Sequence, residues 1–162
     1  MMVVKKVGAE SVPVIKNLSN IIWPPTYSEI ITTQQVDYMM DLMYSTAALT
    51  KQIENGDQFI IAYLDEKPVA FAAYSAMQHN RSIHRLHKIY ILPNEQGKGI
   101  GKGLISYIKN DIAPANTLQL NVNRKNKALQ FYQKLGFKII SEEDIGIGNG
   151  FYMNDYIMEL SW

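Results

Sequence analysis

The sequence predicts an α/β domain of the α+β kind, in which a mixed, mostly antiparallel central sheet carries one embedded βαβ unit and flanking helices. Three observations lead there. An apolar run at Leu86–Leu92 is followed by the glycine-rich stretch Gln96–Gly103, a helical pattern to Ile112 and a second apolar run at Leu118–Val122, which is a βαβ order. Before it, helical periodicity gives way to a hairpin; after it, the chain closes on strand-like runs rich in Tyr, Phe, Met and Ile. With 162 residues, 47% apolar and 19% charged, there is material for one core and too little for two, so residues 1–162 are read as a single domain.

Taken in order, Val3–Val7 is a short opening strand. Ser11-Val12-Pro13 starts a helix with Ser as N-cap and Pro in the first turn, and Trp23-Pro24-Pro25 is expected to stop it. Apolar residues at helical spacing (Val36, Met39, Met40, Met43; Leu49, Ile53) predict helices over Thr33–Ser45 and Thr46–Asn55, the second ended by Gly56. Gln58–Leu64 and Pro68–Met77 form a hairpin joined at Asp65-Glu66-Lys67, and Leu86–Leu92 is a third strand ended by Pro93. Gly99–Ile112 reads as a helix, Leu118–Val122 as a strand, Lys125–Leu135 as a helix, Phe137–Ile140 as a strand, Gly146–Gly150 as a turn and Phe151–Leu160 as the closing strand. The predicted order is βααα-βββ-αβαββ.

Composition removes several function classes. The absence of Cys excludes a disulfide scaffold, a thiolate metal site and a cysteine nucleophile, and it gives no sign of an oxidising compartment. The N-terminal residues reach charge and Gly8 too soon for a signal segment, and no apolar run is long enough to span a membrane, so a cytoplasmic setting without a membrane partner is expected. The net charge of +1 hides an asymmetry: residues 1–94 hold 8 basic and 8 acidic side chains, residues 95–138 hold 8 and 2, and residues 139–162 hold 0 and 5. A basic middle suits a polyphosphate ligand and the acidic tail a cationic one. Because the basic residues have such a ligand to serve and the whole chain is nearly neutral, no nucleic-acid partner is expected. Nor is a metal: His79, His84 and His87 lack accompanying Cys or close carboxylates, and on one strand His84 and His87 point to opposite faces.

The glycine segment Gln96-Gly97-Lys98-Gly99-Ile100-Gly101-Lys102-Gly103 sits between a strand and a helix, where bare N–H groups and a helix N-terminus together grip a pyrophosphate. Spacing separates the templates for it. A dinucleotide fingerprint starting at Gly97 or Gly99 would need glycine where Lys102 or Leu104 stands, and a P-loop would need Gly at Gln96 and Ser or Thr at Gly103. Both fail, whereas Gln-x-x-Gly-x-Gly fits as Gln96 to Gly101.

With that segment, the strand and loop Ile89-Tyr90-Ile91-Leu92-Pro93-Asn94-Glu95-Gln96, and the stretch Phe131-Tyr132-Gln133-Lys134-Leu135-Gly136-Phe137, the chain resembles the GNAT superfamily of acetyl-CoA-dependent N-acetyltransferases over about Phe59 to Leu160. The resemblance implies acetyl-CoA as co-substrate, cradled at its pyrophosphate by the backbone of Gly97 to Lys102, with Ile100 opening the helix, glycines at 97, 99 and 101 allowing close approach, and Lys98 or Lys102 adding charge. It further implies that the strand Ile89–Ile91 splays from its neighbour, that Ile89, Tyr90 and Ile91 offer backbone groups to pantetheine, and that the Ile91 N–H stabilises the thioester oxyanion. Asn126, or its rival Asn123, would contact pantetheine. Tyr132 would protonate the departing thiolate, a phenol of ordinary pKa near 10 meeting a thiol of about 8.5.

The attacking amine must lose a proton, which requires a base or a water chain. His87, four residues before Ile91 and read as sharing its strand face, is the first candidate; Glu29, in a segment that would lid the site, is the second. Without Cys, direct attack in a ternary complex is the expected route. The closing run Gly150–Leu160 and the aromatic stretch Trp23-Pro24-Pro25-Thr26-Tyr27 are similar to the bacterial spermidine/spermine acetyltransferase branch. That likeness implies a polyamine received by Glu142, Glu143, Asp144 and Asp155, with Trp23 and Tyr27 lining its path. Three functions stay open: a small-molecule amine acetyltransferase with polyamines leading, a protein N-terminal or lysine acetyltransferase, and a non-catalytic acyl-CoA-binding regulator. Homodimerisation through sheet edges is compatible with each.

Overall fold

A computed structural model describes residues 1–162. The elements are β1 (Met2–Val7), α1 (Val12–Tyr27), α2 (Thr33–Tyr44), α3 (Thr46–Glu54), β2 (Gln58–Leu64), β3 (Lys67–Ala76), β4 (Ile83–Ile91), α4 (Ile100–Ile112), β5 (Thr117–Asn123), α5 (Ala128–Lys134), β6 (Lys138–Gly148) and β7 (Phe151–Ser161). All seven strands form one sheet in the order β1-β2-β3-β4-β5-β7-β6. Only β4 and β5 run parallel, joined by the α4 crossover. The predicted element order is the one found.

The central hairpin explains the two-layer core. Successive residues of β2 and β3 send side chains to opposite faces, and both faces are covered: Phe59, Ile61, Phe71 and Ala73 meet α1, α2 and α3, while Ile60, Ala62, Ala70 and Ala72 meet α4 and α5. That is why these strands read as continuous apolar runs rather than alternating ones. Local chemistry sets the helix starts: Thr32 Oγ1 accepts from the Gln35 N–H at 3.1 Å to open α2, and Ser45 Oγ accepts from the Ala48 N–H at 3.1 Å to open α3.

Two expectations about boundaries are corrected. Helix α1 does not stop at Trp23 but runs through Pro24 and Pro25 to Tyr27. The prolines deprive the carbonyls of Asn20 and Ile21 of their usual donors, yet both residues are exposed, so water can serve them. Ring packing holds the extra turn, with Trp23 and Tyr27 centroids 4.3 Å apart. Strand β6 does not end at Ile140 but continues to Gly148, because β7 offers a partner along that whole length, from Lys138↔Glu159 to Gly148↔Phe151. Glu142, Glu143 and Asp144 are therefore strand residues on an exposed edge, where backbone pairing decides and side-chain polarity is tolerated.

Candidate active site

The site begins where two strands part. β4 and β5 pair only from Ile83↔Thr117 to Leu86↔Leu120. Beyond that point β4 stays with β3 as far as Ile91, and β5 stays with β7 as far as Asn123. The resulting cleft leaves the β4 backbone past Leu86 without a strand partner on its β5 side, which is the splay expected at Ile89–Ile91.

At the mouth of the cleft, Gly97 and Gly99 have φ of +80° and +81°, the left-handed region that glycine enters without strain. Gly99 is the N-cap of α4 and supplies no side chain to its first N–H groups, so an anion finds them open together with the positive end of the helix dipole. These residues fit a pyrophosphate. Gln96 aims this loop by donating from Nε2 to the Ile91 carbonyl at 3.2 Å. Lys98 is bonded to Glu95 Oε2 at 2.8 Å, and Lys102 stands exposed.

Gly101 departs from its expected role. A Cβ there would lie 2.8 Å from Phe131 Cζ and 3.2 Å from Ile91 Cδ1, so this glycine lets α4 sit against α5 and β4 rather than letting a ligand approach. Ile100, Ile89 and Ile91 pack into the core on the α4 side, whereas the Tyr90 ring turns to the opposite face. What Ile89 and Ile91 can offer a ligand is backbone.

Tyr132 sits on α5, the helix that follows β5, buried in the core on the α4 side at 7% exposed, its ring held by Phe131 and Phe137 at centroid distances of 5.4 and 5.7 Å. Burial, and then the neighbouring Tyr27, raise its phenol well above the ordinary value. A phenol is already a weaker acid than a thiol, so proton transfer from Tyr132 to a free thiolate is uphill, and burial steepens it. The residue is suited to holding a hydrogen bond on developing negative charge while remaining protonated. Asn126 Oδ1 accepts from the Ala128 N–H and Asn123 Oδ1 from the Lys125 N–H, each at 2.9 Å, so both carbonyl oxygens shape the turn into α5.

Facing the cleft from the other side is an inner pocket of about 90 Å³, with Trp23, Tyr27, Tyr44 and Tyr90 among its walls and Met39 and Met43 closing it from α2. Tyr27 and Tyr90 hydroxyls are 3.1 Å apart. An outer cavity of about 460 Å³, lined by Glu29, Phe151 and Asn154, adjoins it through Ile31, Gln35 and Tyr152, which line both. Gln35 Nε2 donates to the Tyr152 carbonyl at 2.7 Å and fixes this junction. Glu29 thus lines the outer cavity and not the inner pocket.

The inner pocket is charged. Asp155, 1% exposed, accepts from Asn121 Nδ2 at 3.3 Å, and Asn121 in turn receives Arg85. Burial raises the Asp155 carboxyl above its usual range, against that hydrogen bond. Of the other acidic residues expected to receive a polyamine, Glu142 and Asp144 are paired with Arg124. His87 does not share the face of Ile91. The register passes from Ala73↔Lys88 to Tyr74↔Leu86, so His87 is the extra residue of a bulge and lies with Lys88 on the pocket side. Its Nε2 is 2.7 Å from Ser75 Oγ and 3.5 Å from Asp57 Oδ1. Burial holds the imidazole below its ordinary pKa, Asp57 opposing and Lys88 and Arg85 assisting, so it is neutral near pH 7 and able to accept a proton.

Residues 28–160 match the description "Acetyltransferase (GNAT) domain". The chain belongs to the GNAT acetyltransferase family. It is similar to two uncharacterized N-acetyltransferases, one of Methanocaldococcus jannaschii (32% identity over 98 residues) and YjcF of Bacillus subtilis (25% over 93 residues). Those matches involve 56% and 57% of this chain and span 42% and 64% of the relatives' lengths, less than two thirds of either. Among solved structures, the PaiA N-acetyltransferase of Thermoplasma acidophilum in complex with coenzyme A shares the fold at TM-score 0.83 and 24% identity, covering 100% of this chain and 99% of that one. The Escherichia coli ribosomal-protein-S18-alanine N-acetyltransferase does so at TM-score 0.74 and 17% identity, covering 99% and 94%.

Within this GNAT chain, the glycine turn stands at the mouth of the cleft and Trp23, Tyr27 and Asp155 line the inner pocket, but much of that pocket was not legible in the sequence motifs. Tyr44, Met39, Met43, Asn121, Tyr152 and Lys88 line the pocket from four different elements and form no local pattern. No local signal marks the bulge: the pair His87-Lys88 is matched on the same strand by His84-Arg85, which pairs in regular register.

Proposed function

We propose that this GNAT protein transfers an acetyl group from acetyl-CoA to the primary amine of a small molecule by direct attack in a ternary complex. The reading is supported by three features on consecutive elements: an uncapped helix N-terminus with two left-handed glycines, a parted β4–β5 pair, and a buried Tyr132 on the helix that follows β5. The thioester of acetyl-CoA supplies the activated acyl group. In this assignment the chain's residues do the rest. The backbone of Gly97 to Lys102 binds the pyrophosphate, the Ile91 N–H points a dipole at the developing oxyanion, and Tyr132 donates a hydrogen bond toward sulfur. The net proton comes from the amine, passing through water in the inner pocket to His87, which Ser75 and Asp57 orient.

The pocket favours a small acceptor. Asp155, lining the same pocket as the Trp23, Tyr27 and Tyr90 rings, receives the cationic form of an amine, and a volume of about 90 Å³ suits a small one. Spermidine and spermine belong in the acceptor panel on the strength of Asp155. A peptide N-terminus is the second reading, supported by the larger outer cavity through which a chain would approach.

The test is release of CoA thiol from acetyl-CoA across amines, amino acids, polyamines and peptides, read with a thiol reagent; the protein has no Cys and adds no background. Turnover with a small amine that falls sharply in Tyr132→Phe is the expected result. Tight acetyl-CoA binding with no turnover on any member of the panel would overturn the reading in favour of a non-catalytic acyl-CoA sensor.

A further inference from the structure

The bulge that turns His87 into the pocket also buries Lys88. The residue is 8% exposed, its Nζ lies 4.8 Å from the centroid of the Tyr44 ring, and it takes part in none of the chain's ion pairs. Around it stand Tyr44 from α2, Trp23 and Tyr27 from α1, His87 and Tyr90 from β4, Asn121 from β5 and Asp155 from β7, with Asp57 acting from the turn before β2. Desolvation lowers its pKa to about 8, Asp57 opposing. An aromatic ring face is poor compensation for a buried ammonium, which ordinarily keeps a carboxylate partner. Trp23, on the same pocket wall, also leaves its buried indole N–H without an acceptor.

The inner pocket thus holds a cation with no carboxylate at ion-pair distance, Asp57 acting on it only from farther off, and, held separately by Asn121, a buried carboxylate. No acceptor that is only cationic complements both. We infer that the acetyl acceptor is a zwitterion, a primary amine that also bears a carboxylate, and that Lys88 is the specificity residue that receives the carboxylate while Asp155 faces the amine. The pocket's volume of about 90 Å³, room for about three waters, suits a carboxylate on a short methylene spacer. This rests on the acetyltransferase reading and narrows its acceptor away from polyamines, whose second ammonium would meet Lys88.

The experiment compares kcat/KM for glycine, β-alanine and 4-aminobutyrate with amines of equal length lacking the carboxylate, with the matching diamines, and with aminoalkyl phosphonates, in wild type, Lys88→Met and Lys88→Arg. The expected result is a preference of at least tenfold for one aminocarboxylate, carried by KM. Lys88→Met should erase that preference, seen as a rise in KM at least tenfold larger for the aminocarboxylate than for the plain amine, and Lys88→Arg should retain part of it. A wild-type preference for diamines or phosphonates, or an equal loss on all amines in Lys88→Met, overturns the inference. Calorimetric binding of the same aminocarboxylates gives a readout free of turnover. If no amine is acetylated, the acetyltransferase reading fails by itself, and carboxylate binding that Lys88→Met abolishes would still support the role of Lys88, whereas binding unchanged by the substitution, or none to wild type, would refute it. Thermal melts establish that each variant is folded.

Discussion

If Lys88 is kept for recognition, it is held at a cost to the fold, and that cost is measurable. A fall in pKa from 10.5 to about 8 corresponds to about 3 kcal/mol of penalty on the charged form at neutral pH. Between those two values the unfolded chain binds the proton that the folded chain has released, so stability rises with pH across that window and is lowest, as far as this group is concerned, below pH 8. Lys88→Met keeps an unbranched side chain of similar length and removes the charge, while forfeiting the contact with the Tyr44 ring, about 1 kcal/mol. The net expectation is a gain of about 2 kcal/mol at pH 7, shrinking by about 1 kcal/mol at pH 9. Urea unfolding of both proteins at the two pH values gives the comparison; the buried tyrosines titrate alike in each and cancel in the difference. A variant less stable than wild type at pH 7, or a stability difference that does not change with pH, would refute the picture of an uncompensated buried ammonium.

Further outcomes follow from the same geometry. On the proposed role of its hydroxyl, Tyr132→Phe should fold normally and lose about 10²-fold or more in kcat with acetyl-CoA affinity nearly unchanged; a large loss of affinity instead would make it a packing residue. Gly99→Ala forces a side chain into φ +81° at about 1–2 kcal/mol of strain and should weaken acetyl-CoA binding about tenfold by calorimetry, although open space surrounds the site. Gly101→Leu should lower the melting temperature by driving a side chain into Phe131. The kcat/KM profile should fall on the acid side as His87 becomes protonated, below the ordinary histidine value of about 6.5, and His87→Ala should remove that limb while lowering the plateau.

What the sequence determined by itself was everything encoded within a few residues of chain. Strand and helix order, the glycine turn that opens α4 without a side-chain cap, and the place of Tyr132 on α5 depend on local periodicity, capping and backbone permissiveness, and these are written in consecutive residues. Even there, tertiary packing overrode local signals twice: two prolines failed to stop α1 because Trp23 and Tyr27 are gripped by their neighbours, and polar Glu142–Asp144 joined a strand because β7 lay alongside. The acceptor pocket was decided only by the folded chain. One extra residue in β4 turned His87 away from the face of Ile91 and carried Lys88 inside, and Asp155, Asn121 and Tyr44 came to it from distant elements. A bulge depends on the register between two strands, and a pocket's charge depends on which side chains share a low-dielectric space. Neither quantity is a property of any one stretch of sequence.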